Sequence, residues 1–165
     1  MMQIGIVVYS VTDNTFKFAE AIAAGLEKDG QGIELIRIET DRPVEKGTKW
    51  DMPQYEILNV PDCSDYDVIF AGGPVWALSA CPVIIRTIEE MPGLDGKTVM
   101  PFVTMAFPFP FFGGGNAVRQ IKSAARKSGA KPKGGYVLCR MAHDFDKSVN
   151  KQVKRILSDI HSDLQ

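Results

Sequence analysis

Residues 4–15 constrain the fold more than any other stretch. Ile4-Gly5-Ile6-Val7-Val8-Tyr9 is a nearly continuous apolar run, and Ser10-Val11-Thr12-Asp13-Asn14-Thr15 follows it without a break. The apolar run is rich in β-branched residues and reads as a strand buried on both faces. After the polar run, Phe18, Ala19, Ile22, Ala23 and Leu26 recur at helical spacing, and Lys28-Asp29-Gly30 supplies a cation and a terminating glycine. A strand feeding a helix through six such residues leaves several backbone N–H groups unpaired at the helix start, where the helix dipole favours an anion. The Ser10, Thr12 and Thr15 hydroxyls and the Asn14 amide add donors without adding charge. That chemistry suits a phosphate monoester. The same residue types also cap helices, so the spacing alone leaves ligand binding and simple capping both open.

The remaining elements alternate. Residues 33–39 form a second strand with charges inside it, the mark of a sheet edge. Residues 40–67 follow as a long connection carrying Pro43, Pro53 and Pro61, and residues 39–67 hold eight acids against three bases. A connection of that length is expected to be a lid or a partner surface. Val68-Ile69-Phe70-Ala71 is the third strand, 72–80 a loop, and Ile84, Ile85, Ile88 and Met91 mark a helix opening at Cys81-Pro82. The fourth strand is 98–104, where Pro101 is awkward for a central position. A loop of phenylalanines, prolines and glycines spans Met105 to Asn116. Val118, Ile121 and Ala125 define the next helix, Tyr136-Val137-Leu138-Cys139 the fifth strand, ending in Arg140, and Val149, Val153, Ile156, Ile160 and Leu164 the closing helix.

Strands alternating with helices imply a doubly wound α/β fold with a five-stranded parallel sheet. With the polar second and fifth strands at the edges, the order is 2-1-3-4-5. At 165 residues this is a single domain, 1–165. In such a sheet a ligand sits beyond the carboxyl ends of the strands, between the first and third. The loops there are 10–15, 72–80 and 105–115. The first offers phosphate donors, the second Pro74-Val75-Trp76, and the third Phe107, Phe109, Phe111 and Phe112 beside Gly113, Gly114 and Gly115. An anion site between aromatic-bearing loops suits a flat ring with a phosphate tail. Trp76 serves equally as a core residue, and some of the phenylalanines equally as packing beneath the loop or as a contact patch.

The first loop resembles the flavodoxin phosphate loop, Ser/Thr-x-Thr-Gly-x-Thr after the first strand, which holds the phosphate of FMN. Ser10, Thr12, Asn14 and Thr15 match it, and Asp13 stands where the family has glycine. Asp tolerates left-handed backbone, and its carboxylate has to point away from the phosphate. Gly73-Pro74-Val75-Trp76, Gly96 to Thr104 and the glycines before Asn116 are similar to flavodoxin segments in the same order. The resemblance implies FMN as cofactor, bound by Ser10, Val11, Thr12, Asp13, Asn14, Thr15, Pro74, Val75, Trp76, Thr104, Phe107, Gly113, Gly114 and Gly115. It further implies an electron carrier whose redox partner is basic at its docking face, steered by the acidic loop. A flavin-dependent reductase of quinones or other small acceptors, and a cofactor-free binding module of the same fold, are the competing readings.

Other classes fit poorly. A receiver domain needs acids after the first strand and an aspartate ending the third, where this chain has Tyr9-Ser10 and Ala71-Gly72; the Gly-Lys-Ser/Thr of a P-loop is absent. Cys63, Cys81 and Cys139 are odd in number and without a C-x-x-C pair, which argues against a disulfide framework or a metal site. Cys81 and Arg86 are one residue too close for a phosphatase Cys-x5-Arg loop, so Cys81 reads as structural. His143-Asp144 reads as a helix entry. Residues 1–116 carry 8 Lys and Arg against 16 Asp and Glu, and residues 117–165 carry 11 against 4. The basic third interleaves its cations with apolar helix positions, the pattern of a solvated face rather than of a nucleic-acid site. No apolar run reaches membrane length and the first strand begins by residue 4, so the expected location is cytoplasmic.

Overall fold

The computed structural model describes residues 1–44, 55–107, 109, 111, 113–141 and 144–163. Strands β1 (Gln3–Val8), β2 (Gly32–Arg37), β3 (Val68–Trp76), β4 (Ser79–Ala80), β5 (Thr98–Met105), β6 (Lys131–Pro132) and β7 (Tyr136–Cys139) are interleaved with helices α1 (Asn14–Lys28), α2 (Pro82–Glu90), α3 (Gly114–Lys127) and α4 (Phe145–Asp163). The parallel sheet runs β2-β1-β3-β5, with β6 and β7 placed one after the other along the far edge of β5. This is the expected 2-1-3-4-5 order, its fifth strand split in two. Gly134 and Gly135, both at positive φ, lie in the break.

The break explains Pro101. The carbonyls of Lys97, Val99 and Met105 accept bonds from the N–H groups of Lys131, Lys133 and Arg140, so odd-numbered residues of β5 face this edge. Pro101 shares their side and falls between the stretches that pair with β6 and β7, where its missing donor is no loss.

Alternation along the strands sorts the core into two layers. Ile4, Ile6, Val8, Phe70 and Phe102 meet Phe18, Ile22, Leu26 and Ile156, under α1 and α4. Val7, Ile69, Ala71, Val99 and Val103 meet Ile84, Ile88, Val118 and Ile121, under α2 and α3. Buried apolar stripes on all four helices thus cover both faces of the sheet.

One expectation needs correction. Residues 72–80 are not a loop: β3 runs on through Gly72-Gly73-Pro74 to Trp76, in register with β5, and turns back as the antiparallel β4. Gly72 is there because the Phe102 ring lies across it; a Cβ would fall 2.4 Å from the ring. The long acidic connection is anchored at both ends. Thr40 pairs with Ile57 in antiparallel fashion, Leu58 donates to the Glu39 carbonyl and Asp41 to that of Glu56, and Val44, Tyr55, Cys63 and Tyr66 are buried. Pro53, with the rest of 45–54, lies outside the described residues, as do Phe112, His143 and Leu164. Among the described residues no helix is long and apolar enough to cross a membrane.

Candidate functional site

The first loop leaves β1 beside the end of β2, where Val8 and Arg37 share a register position. Asp13 precedes α1 in left-handed backbone, φ 63° and ψ −5°, and its side chain makes no cap bond to the helix. Its carboxylate turns to Arg37, whose Nη2 lies 2.6 Å from Asp13 Oδ1. The same nitrogen donates to the Ser10 carbonyl at 3.0 Å, and the guanidinium sits 4.7 Å from the centroid of the Phe16 ring. Capping falls to Ser10, whose Oγ accepts the Phe16 N–H at 3.3 Å. Asn14 Nδ2 donates to Thr12 Oγ1 at 3.0 Å. After these bonds the backbone N–H groups of residues 11–15 have no protein acceptor among the described residues. A row of free N–H groups at a helix start is an anion-binding arrangement.

Thr15 ties this loop to the sheet: its Oγ1 lies 2.7 Å from Thr104 Oγ1 at the end of β5, and both residues are buried. The second side of the site is the β3–β4 hairpin. Its two-residue turn, Ala77 and Leu78, has φ of 45° and 63°. Such turns need positive φ at both central positions and normally use Asn and Gly. Helix α3 holds the turn in place. Asn116 Nδ2 donates to the Leu78 carbonyl at 3.0 Å, and Gly113, at φ 102°, lets the backbones meet, since a Cβ there would fall 2.6 Å from Leu78 Cα.

Between these parts lies a cleft of about 150 Å³. Val11, Thr12, Asn14 and Thr15 line it from the first loop, Pro74, Val75, Trp76 and Ala77 from the hairpin, and Thr104, Met105, Ala106 and Arg140 from the ends of β5 and β7. Arg140 is the one charged residue among them. Trp76 is only 6% exposed and meets Tyr9 edge to face, with ring centroids 6.1 Å apart. Its indole N–H is buried and has no acceptor among the described residues, a costly condition for a native donor. Trp76 is therefore both core and cleft wall. Larger grooves, of about 560 Å³ between α2 and α3 and about 740 Å³ along the start of α4, are not lined by the first loop, β3 or β5.

The other sequence-predicted residues fall outside the lining. Ser10 and Asp13 shape the loop from behind. Phe107 is exposed, Gly113 packs on the hairpin, Gly114 meets Val137 and Met105, and Gly115 faces open space. Asp144 accepts the Lys147 N–H at 3.0 Å and so serves as the expected helix entry. Burial pushes the Cys81 thiol up to about 12, against a smaller opposing pull from the N–H groups of Val83 and Ile84, which leaves it unfit as a nucleophile. Sequence reasoning passed over Arg37, Ala77, Met105, Ala106 and Arg140 as site residues. A signal for Arg37 existed: the carboxyl end of a second parallel strand lies beside the loop that follows the first.

No curated protein sequence matches the chain. Solved structures do. Flavodoxin 2 from Bacillus cereus superposes with a TM-score of 0.68 at 17% identity, over 97% of this chain and 99% of that one. A flavoprotein in complex with FMN from Lactobacillus acidophilus gives 0.61 at 20%, over 92% and 99%. Fusobacterium nucleatum flavodoxin bound to flavin mononucleotide gives 0.59 at 14%, over 96% and 99%. At such identities these likenesses speak to the fold. The flavodoxin family model matches residues 36–136, from the end of β2 to the start of β7 and well over half the chain. With the strand order, the phosphate-type loop and the cleft at the carboxyl edge, that match means that the chain belongs to the flavodoxin family.

Proposed function

We propose that the chain binds FMN at this cleft and carries electrons between redox partners. The observation that carries the reading is the row of N–H groups at residues 11–15 without an acceptor among the described residues, a donor set suited to a phosphate monoester. The Trp76 N–H agrees with it, as a buried donor with no acceptor among the described residues. The Lactobacillus and Fusobacterium proteins hold FMN on the same fold. The backbone donors of the first loop and the Thr12 hydroxyl hold the phosphate, Arg140 adds positive charge to the cleft, and Trp76 offers a donor to the ligand's polar atoms. Pockets that enclose a whole ligand of drug size run to about 300–1,000 Å³, so this cleft takes part of FMN and leaves the rest outside. Bound FMN supplies the redox chemistry.

The chain's own part is to bind, orient and exclude water. Val11, Leu78, Phe107, Phe109, Phe111 and Met141 are exposed on loops at the carboxyl ends of the strands, an apolar rim suited to brief docking. Glu39, Asp41 and Glu56 stand on the acidic connection and favour a partner with a basic face. The test is a titration of the apoprotein with FMN in a Trp50→Phe background, so that Trp76 alone reports. A shifted flavin band with quenched Trp76 emission and a Kd below about 1 μM, roughly −8 kcal/mol, is expected. Flavin spectra unchanged at high protein concentration refute cofactor binding. Electron transfer from the dithionite-reduced complex to ferricytochrome c, a basic acceptor, should slow as salt is added; a rate indifferent to salt removes the electrostatic docking part.

A further inference from the structure

We propose that the Asp13–Arg37 ion pair is a positioning latch of the phosphate loop, and that phosphate affinity in this chain depends on Arg37 although Arg37 is not a cleft wall. The inference rests on the FMN reading and adds a residue to it. Asp13 occupies the left-handed position, φ 63°, that glycine would fill most cheaply. A carboxylate there, next to a row of N–H donors, is a competing anion beside any phosphate. Here it is aimed at Arg37 instead, at 2.6 Å, and makes no bond to the helix start.

Arg37 does two things at once. It neutralises Asp13, and through the same Nη2 it holds the Ser10 carbonyl at 3.0 Å, so the loop is gripped at both ends of its turn. The Phe16 ring under the guanidinium, 4.7 Å from its centroid, fixes the arginine from below. Gripping residues 10 and 13 sets the direction of the N–H groups between and after them. Without Arg37 the carboxylate is released beside the anion site and the turn loses its tie to β2. The pair is partly exposed, 40% and 59%, so salt weakens its influence without abolishing it.

The test is a double-substitution cycle read by FMN and riboflavin affinity in the full chain. Arg37→Met should weaken FMN by roughly tenfold at low salt, the size of an uncompensated charge near a phosphate in a partly screened setting. Riboflavin, which lacks the phosphate, should change less than about twofold. Asp13→Asn keeps a residue that tolerates left-handed backbone, and the Asp13→Asn/Arg37→Met protein, with the carboxylate gone but the tie to the Ser10 carbonyl still broken, should recover most of the FMN affinity, with a remaining deficit of about threefold. A double variant as weak as Arg37→Met, equal losses for FMN and riboflavin, or no loss in Arg37→Met overturns the latch alone. A wild-type chain that binds no FMN overturns the cofactor reading and the latch together.

Discussion

The Thr15–Thr104 hydroxyl pair shows how single side chains hold the site. Two buried hydroxyls 2.7 Å apart join the phosphate loop to β5 across the sheet. Thr15→Val alone strands the Thr104 hydroxyl in buried surroundings and should cost about 1–3 kcal/mol in a denaturant midpoint; Thr15→Val with Thr104→Val should return most of it, because an absent pair costs less than half a pair. Neither the pair nor the Asp13–Arg37 contact is written in local sequence. Each partner is an ordinary residue for its own element, and the contact exists only because parallel strands bring their carboxyl ends together. Trp76 makes the same point: the sequence allowed either core or cleft, and the structure gives it both duties because β3 runs further than the glycines suggested.

Among the elements, the β3–β4 hairpin is the one that local rules misjudge. Gly72-Gly73-Pro74 reads as a loop, yet an unbroken register with β5 keeps it in the sheet, with Phe102 filling the space that a side chain at Gly72 would need. The turn then runs through Ala77 and Leu78 at positive φ, where Asn and Gly are the usual choice. Holding such residues there costs about 1 kcal/mol or more each. Ala77→Asn with Leu78→Gly should therefore raise Tm by roughly 2–4 °C per kcal/mol recovered, read by calorimetry. Leu78 is 55% exposed, so little packing is lost in the exchange. A lower Tm would mean that the native turn is not strained. Helices were easier to read than this hairpin: their apolar stripes, the proline opening α2 and the glycines closing α1 and α3 are local signals that tertiary contacts reinforce.

For the molecule as a whole, burial sets a pH limit. Desolvation pushes the Cys63 thiol up to about 11 and the Cys81 thiol up to about 12 from an ordinary 9.0. Groups whose pKa rises on folding contribute stability that is complete below the unfolded value and is lost as pH climbs through the folded one. Stability from these thiols is thus intact below pH 9.0 and declines toward pH 11–12. Denaturation midpoints should fall over that range, less steeply in Cys81→Ala, and both thiols should resist alkylation in the native state near pH 8; rapid labelling of Cys81 there would contradict its burial. By itself the sequence determined the alternation of strands and helices, the strand order and the sheet edge at which the first loop lies, because hydrophobic period and turn chemistry are local, and strand order follows from which strands tolerate an edge. Only the tertiary structure decided that Pro101 faces a gap, that Arg37 answers Asp13, and that Trp76 is a buried wall of the cleft. Those outcomes depend on register and on which side of a neighbouring strand a residue meets, and neither is fixed until the sheet is assembled.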